Sequence, residues 1–219
     1  LDFPNPPAAG RYTRFYRIVF NDWGTLCPCL LPSLAVKSKP PAVRVVVDSG
    51  ASMVKIIGID PGLSATGIGI VRGLGSKIES YSFGSIHTSK TTSLPGRLDK
   101  IFSKLLQLLK NEQPDLMVIE DVYSLKRYPK SGILLGQVTG VIQLAAFHAA
   151  VPAIEVPARE AKQILTGNGS ASKQQLEKAV RHRLHHQTRI KPVHASDATG
   201  LALIGLYRYQ EIRININRM

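Results

Sequence analysis

The sequence predicts an α/β fold, a mixed five-stranded sheet flanked by helices. Three observations predict it. Short apolar runs, two of them ending in a carboxylate, have the length and composition of buried strands. Leucine-rich and alanine-rich stretches between and after them recur at helical spacing. Turns bearing glycine and proline separate the runs.

Taken in order, residues 1–52 stand apart. They hold Pro4, Pro6, Pro7, Pro28, Pro32, Pro40 and Pro41, the one Trp and both Cys, with no sustained period of 2 or 3.6. The expectation is a disordered or non-native N-terminal extension, with Met53 as the true start and one domain over 53–210 followed by a tail at 211–219. Arg11, Arg14 and Arg17 with few acids also allow a targeting peptide, although two prolines break the apolar stretch Leu26–Val36. Cys27-Pro-Cys29 lacks the spacing and the second pair that a zinc knuckle needs. No cysteine follows residue 29, which suits a cytoplasmic protein.

From Met53 the pattern becomes regular. Val54–Asp60 (VKIIGID) reads as a buried central strand, and Thr66–Arg72 and Lys77–His87 as further strands joined by turns near Gly62 and Gly73–Ser76. Leu94, Leu98, Ile101, Phe102, Leu105 and Leu109 then mark a helix, with Ser93 as candidate cap and Pro95 in the first turn. Asp115–Glu120 (DLMVIE) is a second buried strand ending in a carboxylate. A basic stretch Ser124–Gly132 leads into a small-residue helix, Ile133 to about Ala150. Ala153–Val156 gives a short strand, Lys173–His185 a basic helix, and His194–Tyr209 a final apolar one. Three strands, a helix, a strand, a helix, a strand and further helices is the order of a ribonuclease-H-like fold.

Charge narrows the function classes. The net charge is +13, and the chain from Met53 keeps 22 of the 28 basic residues and 12 of the 15 acidic ones. The basic character therefore belongs to the domain, and favours a polyanionic partner, nucleic acid or an acidic membrane face. No run of about 18 or more uncharged apolar residues is read here as a membrane span.

Against that background the acids are few, and three sit at element ends. Asp60 closes the first buried strand, Glu120 the fourth, and His194 and Asp197 lie three apart near the start of a helix, so they share a face. Each has a plainer reading: Asp60-Pro61-Gly62 as a turn, Glu120 as a solvated strand end, His194 and Asp197 as a cap and a dipole-favoured acid. Together they can converge several oxygens on one point. Mg²⁺ takes such a donor set, and two ions about 3.5–4 Å apart suit phosphodiester hydrolysis.

Several motifs occur in order from about Met53 to Tyr209. They are Ile57-Gly58-Ile59-Asp60-Pro61-Gly62 with Thr66-Gly67; Ile119-Glu120-Asp121-Val122-Tyr123; and Leu135-Gly136-Gln137-Val138-Thr139-Gly140. Then come Lys162-Gln163 with Gly167-Asn168-Gly169-Ser170-Ala171-Ser172-Lys173, and Asp197-Ala198. In this the chain resembles the RuvC family of Holliday junction resolvases. The resemblance implies a homodimeric, structure-selective DNA endonuclease that binds four-way junctions in recombination and repair. It would nick two strands of like polarity symmetrically, and act with a RuvA–RuvB branch-migration complex. Asp60, Glu120, His194 and Asp197 would hold Mg²⁺, with Mn²⁺ substituting, two ions per active site. Lys162 and Lys173 would face the scissile phosphates. Tyr123 would stack near the junction centre, where core packing is the competing reading.

Lys126, Arg127 and Lys130, with Lys178, Arg181 and Arg183 on the later helix, are further candidates for phosphate contacts that weaken as salt rises. The helix Ile133–Ala150, with Gly136, Gly140, Ala145, Ala146 and Ala149, is the candidate dimer element. His194 stands where many family members carry an acid. An imidazole there brings no negative charge, and suits Mn²⁺ at least as well as Mg²⁺. Two other functions compete. One is an ATP-binding lobe of the actin and sugar-kinase type, which generally needs two lobes; the other is a domain that binds junctions without cutting. The related YqgF-type nuclease is nearer, but the Lys162–Lys173 segment points to the resolvase.

Overall fold

The computed structural model describes residues 52–121 and 129–216. Three strands come first: β1 (Val54–Asp60), β2 (Ala65–Leu74) and β3 (Lys77–His87). After them run α1 (Leu94–Glu112), β4 (Leu116–Asp121), α2 (Pro129–His148), β5 (Ala153–Pro157), α3 (Ala158–Thr166), α4 (Lys173–Arg183) and α5 (Val193–Ile216). The strands form one sheet in the order β3-β2-β1-β4-β5. The β1–β2 and β2–β3 pairs are antiparallel, and the β1–β4 and β4–β5 pairs are parallel. This is the mixed five-stranded arrangement that the sequence predicts.

Some boundaries differ. The nine-residue α3 is not anticipated, because only Ala161 and Leu165 are buried on it, with Ile164 partly buried beside them. The helix expected from Ile133 already starts at Pro129, a residue that the first helical turn accepts without losing a hydrogen bond. Ser93 precedes α1 but makes no side-chain cap; a proline at the start of the helix already removes one of the donors a cap would satisfy. The last turns of α5 fall in the segment expected as a tail.

Strand alternation divides the core in two. Ile57, Ile59, Ile68, Ile70, Met117 and Ile119 face one side, where α1 and α2 bring Ile101, Leu105, Val138 and Ile142. Ile56, Val71, Leu116 and Val118 face the other, under α3, α4 and α5. By length and composition α2 could cross a membrane over Lys130–His148, yet its Val138, Ile142, Ala145 and Ala146 are buried in the first of these layers.

Bare backbone lets α5 lie directly on the sheet. A Cβ at Gly58 would stand 2.0 Å from the Ala198 carbonyl oxygen, and one at Gly67 would stand 2.1 Å from that of His194. Both glycines are therefore needed for close approach; Gly58 lies on the strand that ends at Asp60, and Gly67 lies opposite Asp60 on β2. Gly58→Val is expected to lower the melting temperature measurably. Overpacking typically costs about 1–3 kcal/mol, and each kcal/mol moves Tm by about 2–4 °C in a domain of this size. An unchanged melt would mean that α5 does not rest on the strand there.

Candidate active site

Parallel pairing places the first two acids side by side. Ile59 pairs with Ile119, so Asp60 and Glu120 follow at the ends of adjacent strands, both directed to the α5 face. The chain then turns away through Pro61–Ser64. The Thr66 hydroxyl donates to the Gly62 carbonyl at 2.8 Å, and Thr88 and Arg97 tie Leu63 and Ser64 to the β3–α1 connection. The strand ends at the Asp60 carboxylate, and the chain bends at Leu63–Ser64.

The first turn of α5 completes the cluster. His194 Nδ1 lies within hydrogen-bond distance of Asp60 Oδ2, at 2.6 Å. This approach needs Gly67, which pairs directly with Asp60 across the β1–β2 ladder. Asp197 lies one turn further on, its side chain 12% exposed, and accepts from Lys173 Nζ at 3.2 Å. Lys173 is the first residue of α4, fixed there by a reciprocal cap. The Gln175 N–H donates to the Ser172 hydroxyl at 3.2 Å, and the Ser172 N–H donates to Gln175 Oε1 at 2.8 Å. The Ser172-x-x-Gln175 spacing is a capping-box signature that the sequence reading passes over.

The cluster's electrostatics follow from crowding. Burial raises the Glu120 pKa, and a hydrogen bond to Asp60 and repulsion from Asp60 and Asp197 raise it further. Burial likewise raises that of Asp60, against the lowering effect of its hydrogen bond with Glu120; Asp197 pushes it up and Lys173 draws it down. The ammonium of Lys173 is held above its ordinary range: partial burial works against the charge, but Asp197, Asp60 and Glu120 outweigh it. Three carboxyl groups and one ammonium therefore leave an excess of negative character. Asp197 Oδ1 is buried without any hydrogen-bond partner.

Among the described residues, no three His, Cys, Asp or Glu side chains stand in a ready-formed metal cage. The donors nevertheless suit a hard divalent cation: carboxylate oxygens with an imidazole nitrogen, one oxygen orphaned, and two acids whose pKa values are raised by burial and by the crowding of like charge. A bound cation would draw these groups in.

The remaining expected residues scatter. Lys162 lies half-buried on α3 and forms no ion pair among the described residues. Tyr123, Lys126 and Arg127 lie outside the described residues, while Lys130 is exposed in the first turn of α2. Arg181 faces inward to Glu177 rather than outward to DNA, and Arg183 lies over the Tyr207 ring. Lys178 is exposed beside a cleft of about 300 Å³ between α3 and α4, which touches none of the clustered acids. The acids themselves line a shelf at the strand ends, where the Asp60 and Asp197 side chains are largely buried.

Comparison with known proteins follows the same geometry. A family model described as crossover junction endodeoxyribonuclease RuvC matches residues 56–205. The crossover junction endodeoxyribonuclease RuvC of Rhodopirellula baltica is 35% identical over 164 residues, 75% of this chain and 92% of the relative. That of Vibrio campbellii is 39% identical over 149 residues, 68% of this chain and 84% of the relative. The structure of Thermus thermophilus RuvC in complex with Holliday junction substrate is similar with a TM-score of 0.67 at 26% identity, covering 73% of this chain and 97% of that one. A yeast mitochondrial Holliday junction resolvase shares the fold, with a TM-score of 0.50 at 11% identity.

Proposed function

The chain belongs to the RuvC family of crossover junction endodeoxyribonucleases, and from that premise we propose that Asp60, Glu120, His194 and Asp197 form the centre at which it nicks four-way DNA junctions. It is a nuclease and a Holliday junction resolvase of recombination and repair. The observation that carries the site reading is the convergence of Asp60, Glu120, Asp197 and Lys173, with one Asp197 oxygen buried and unpartnered.

Enzymes of this family depend on divalent metal. Here Asp60, Glu120, His194 and Asp197 would hold Mg²⁺ or Mn²⁺, two ions per centre. When bound, such ions supply Lewis acidity to the phosphodiester and make water acidic enough to attack it. The chain's own groups do the rest. Asp60 orients the His194 ring through Nδ1. The Lys173 side chain is 62% exposed on the open side of the shelf, where its ammonium can exchange Asp197 for a phosphate oxygen. Lys162 is assigned the second phosphate contact, and Tyr123, Lys126 and Arg127 the junction arms.

Incubating a synthetic four-way junction with the protein and Mg²⁺ or Mn²⁺, beside linear duplex, tests the reading. Paired symmetric nicks in the junction alone support it. Binding without cutting in either metal would leave a structural junction binder. His194→Asp is expected to keep cutting within about 10-fold and to shift the preference from Mn²⁺ towards Mg²⁺, because an oxygen replaces the softer nitrogen. Complete loss would give the imidazole a role of its own.

Symmetric nicking requires two copies. Ile133 and Leu144, three helical turns apart on α2, are 65% and 48% exposed, while Val138, Ile142 and Ala145 on the same helix are buried. A helix apolar on both sides needs a second partner, and a two-fold homodimer supplies it with the same face. The paired substitution Ile133→Glu with Leu144→Glu is expected to give a monomer by light scattering and to abolish coordinated second-strand nicking. A variant that stays dimeric would move the interface elsewhere. Association with a RuvA–RuvB branch-migration complex and a cytoplasmic setting complete the proposal.

A further inference from the structure

Among the described residues, one buried carboxylate lies outside the cluster. Glu177 is 9% exposed on α4, and its Oε1 accepts from the Ile190 backbone N–H at 3.0 Å. Burying a carboxylate is costly unless it satisfies something that has no other partner. Ile190 belongs to the irregular connection 184–192 between α4 and α5, and its side chain is 1% exposed. A buried N–H in such a segment has no helix or ladder to receive it.

The surroundings show what this contact positions. Lys173, Glu177 and Arg181 recur every four residues along α4, so they form one stripe. Lys173 meets Asp197 at 3.2 Å, Glu177 meets Ile190, and Arg181 Nη1 donates to the Gln187 carbonyl at 3.4 Å. Arg181 Nε also lies 3.4 Å from Glu177 Oε1, as an ion pair without hydrogen-bond alignment. Between these polar contacts, Leu176 and Val180 pack against the bare backbone at Gly200. One face of α4 thus grips both the entry to α5 and α5 itself. His194 is four residues beyond Ile190, and Asp197 seven.

We propose that Glu177 is a positioning residue: through the Ile190 N–H it fixes the entry of α5, so that His194 and Asp197 are set against Lys173 at the distance the reaction needs. Glu177 touches neither the acids nor the phosphate. It acts by holding the segment that delivers them. The proposal rests on the reading of His194, Asp197 and Lys173 as one centre.

The test uses the full chain and a synthetic four-way junction at saturating protein, with three variants. Glu177→Gln keeps an acceptor oxygen for the Ile190 N–H, Glu177→Ala removes it, and Val180→Ala loosens α4–α5 packing without touching the stripe. Glu177→Ala is expected to cut about 10-fold slower or worse, since a misplacement of about 1 Å can cost up to 10²-fold. Its junction affinity in Ca²⁺ should be unchanged, and Mn²⁺ binding by the DNA-free protein, read by calorimetry, should weaken. Glu177→Gln should restore both to within about 3-fold of wild type, as a retained acceptor predicts. The proposal is overturned if Glu177→Gln cuts as slowly as Glu177→Ala. It is also overturned if Val180→Ala is equally impaired at the same margin below its melting temperature. Should Glu177→Ala not fold, Glu177→Asp, which withdraws the oxygen by one methylene, takes its place, and wild-type cutting by it is the overturning result. A wild-type chain that does not cut the junction refutes the resolvase reading instead.

Discussion

Asp60→Asn is expected to leave the fold and the junction affinity intact while slowing strand cutting by about 10³-fold or more, the scale seen when a central electrostatic group is removed. Asn has the same shape and can still hydrogen-bond His194, so the 2.6 Å contact has a neutral successor and the first turn of α5 keeps its place. What disappears is the negative charge at the end of β1, where Glu120 and Asp197 already crowd. A less negative shelf repels the DNA backbone less, so binding in Ca²⁺ should hold or tighten. Single-turnover cutting of a labelled junction, with a gel-shift titration beside it, reads both quantities. Residual cutting within about 10-fold of wild type would remove Asp60 from the centre.

Glu120→Gln should likewise abolish cutting, and it should also make the metal-free protein more stable. In the folded chain Glu120 is raised from an ordinary 4.5 to about 8, chiefly by burial and then by Asp60 and Asp197. The folded state therefore holds a proton that the unfolded chain has released. The stability this contributes is full below the unfolded value, near pH 4.5, and is lost as pH rises through the folded one. A glutamine cannot ionise and avoids that loss. The melting temperature of Glu120→Gln in EDTA should exceed that of wild type at pH 8, by about 2–4 °C for each kcal/mol relieved, and the gap should close towards pH 5. A gap that does not change with pH would mean that the Glu120 carboxyl is not crowded in the metal-free protein.

Much of this was legible in the chain. An apolar run that stops on a carboxylate marks both a strand and where the strand meets solvent, so Asp60 and Glu120 declare themselves. Pairing order brings them together, and a helix start with His194 and Asp197 three apart supplies the third wall. Other features depend on packing that local sequence does not record. The stripe Lys173, Glu177, Arg181 looks like a solvated basic surface until one knows which side of α4 faces α5. Arg181 accordingly reads from sequence as a phosphate contact, although it turns inward to Glu177. Choosing Lys173 over Lys162 as the partner of Asp197 depends on the turn from Gly167 to Ser172, where Gly167 at φ +74° ends α3 and the Ser172–Gln175 cap begins α4. The short α3 escaped because two buried residues make no readable period.

The alternation of the two central strands also determines which genetic changes the enzyme can survive. Asp60 and Glu120 reach the α5 layer because each is an even number of residues from Ile56 and Val118, which face the same way. Adding or deleting one codon within β1 or β4 would rotate everything beyond it by half a turn and send the carboxylate into the apolar layer under α1 and α2. The connections at 75–76 and 88–93 carry no such phase, and length changes there leave the acids where they are. Deep mutational libraries that include single-residue insertions should therefore show two sharp silent zones at β1 and β4, even at positions where ordinary substitutions are tolerated.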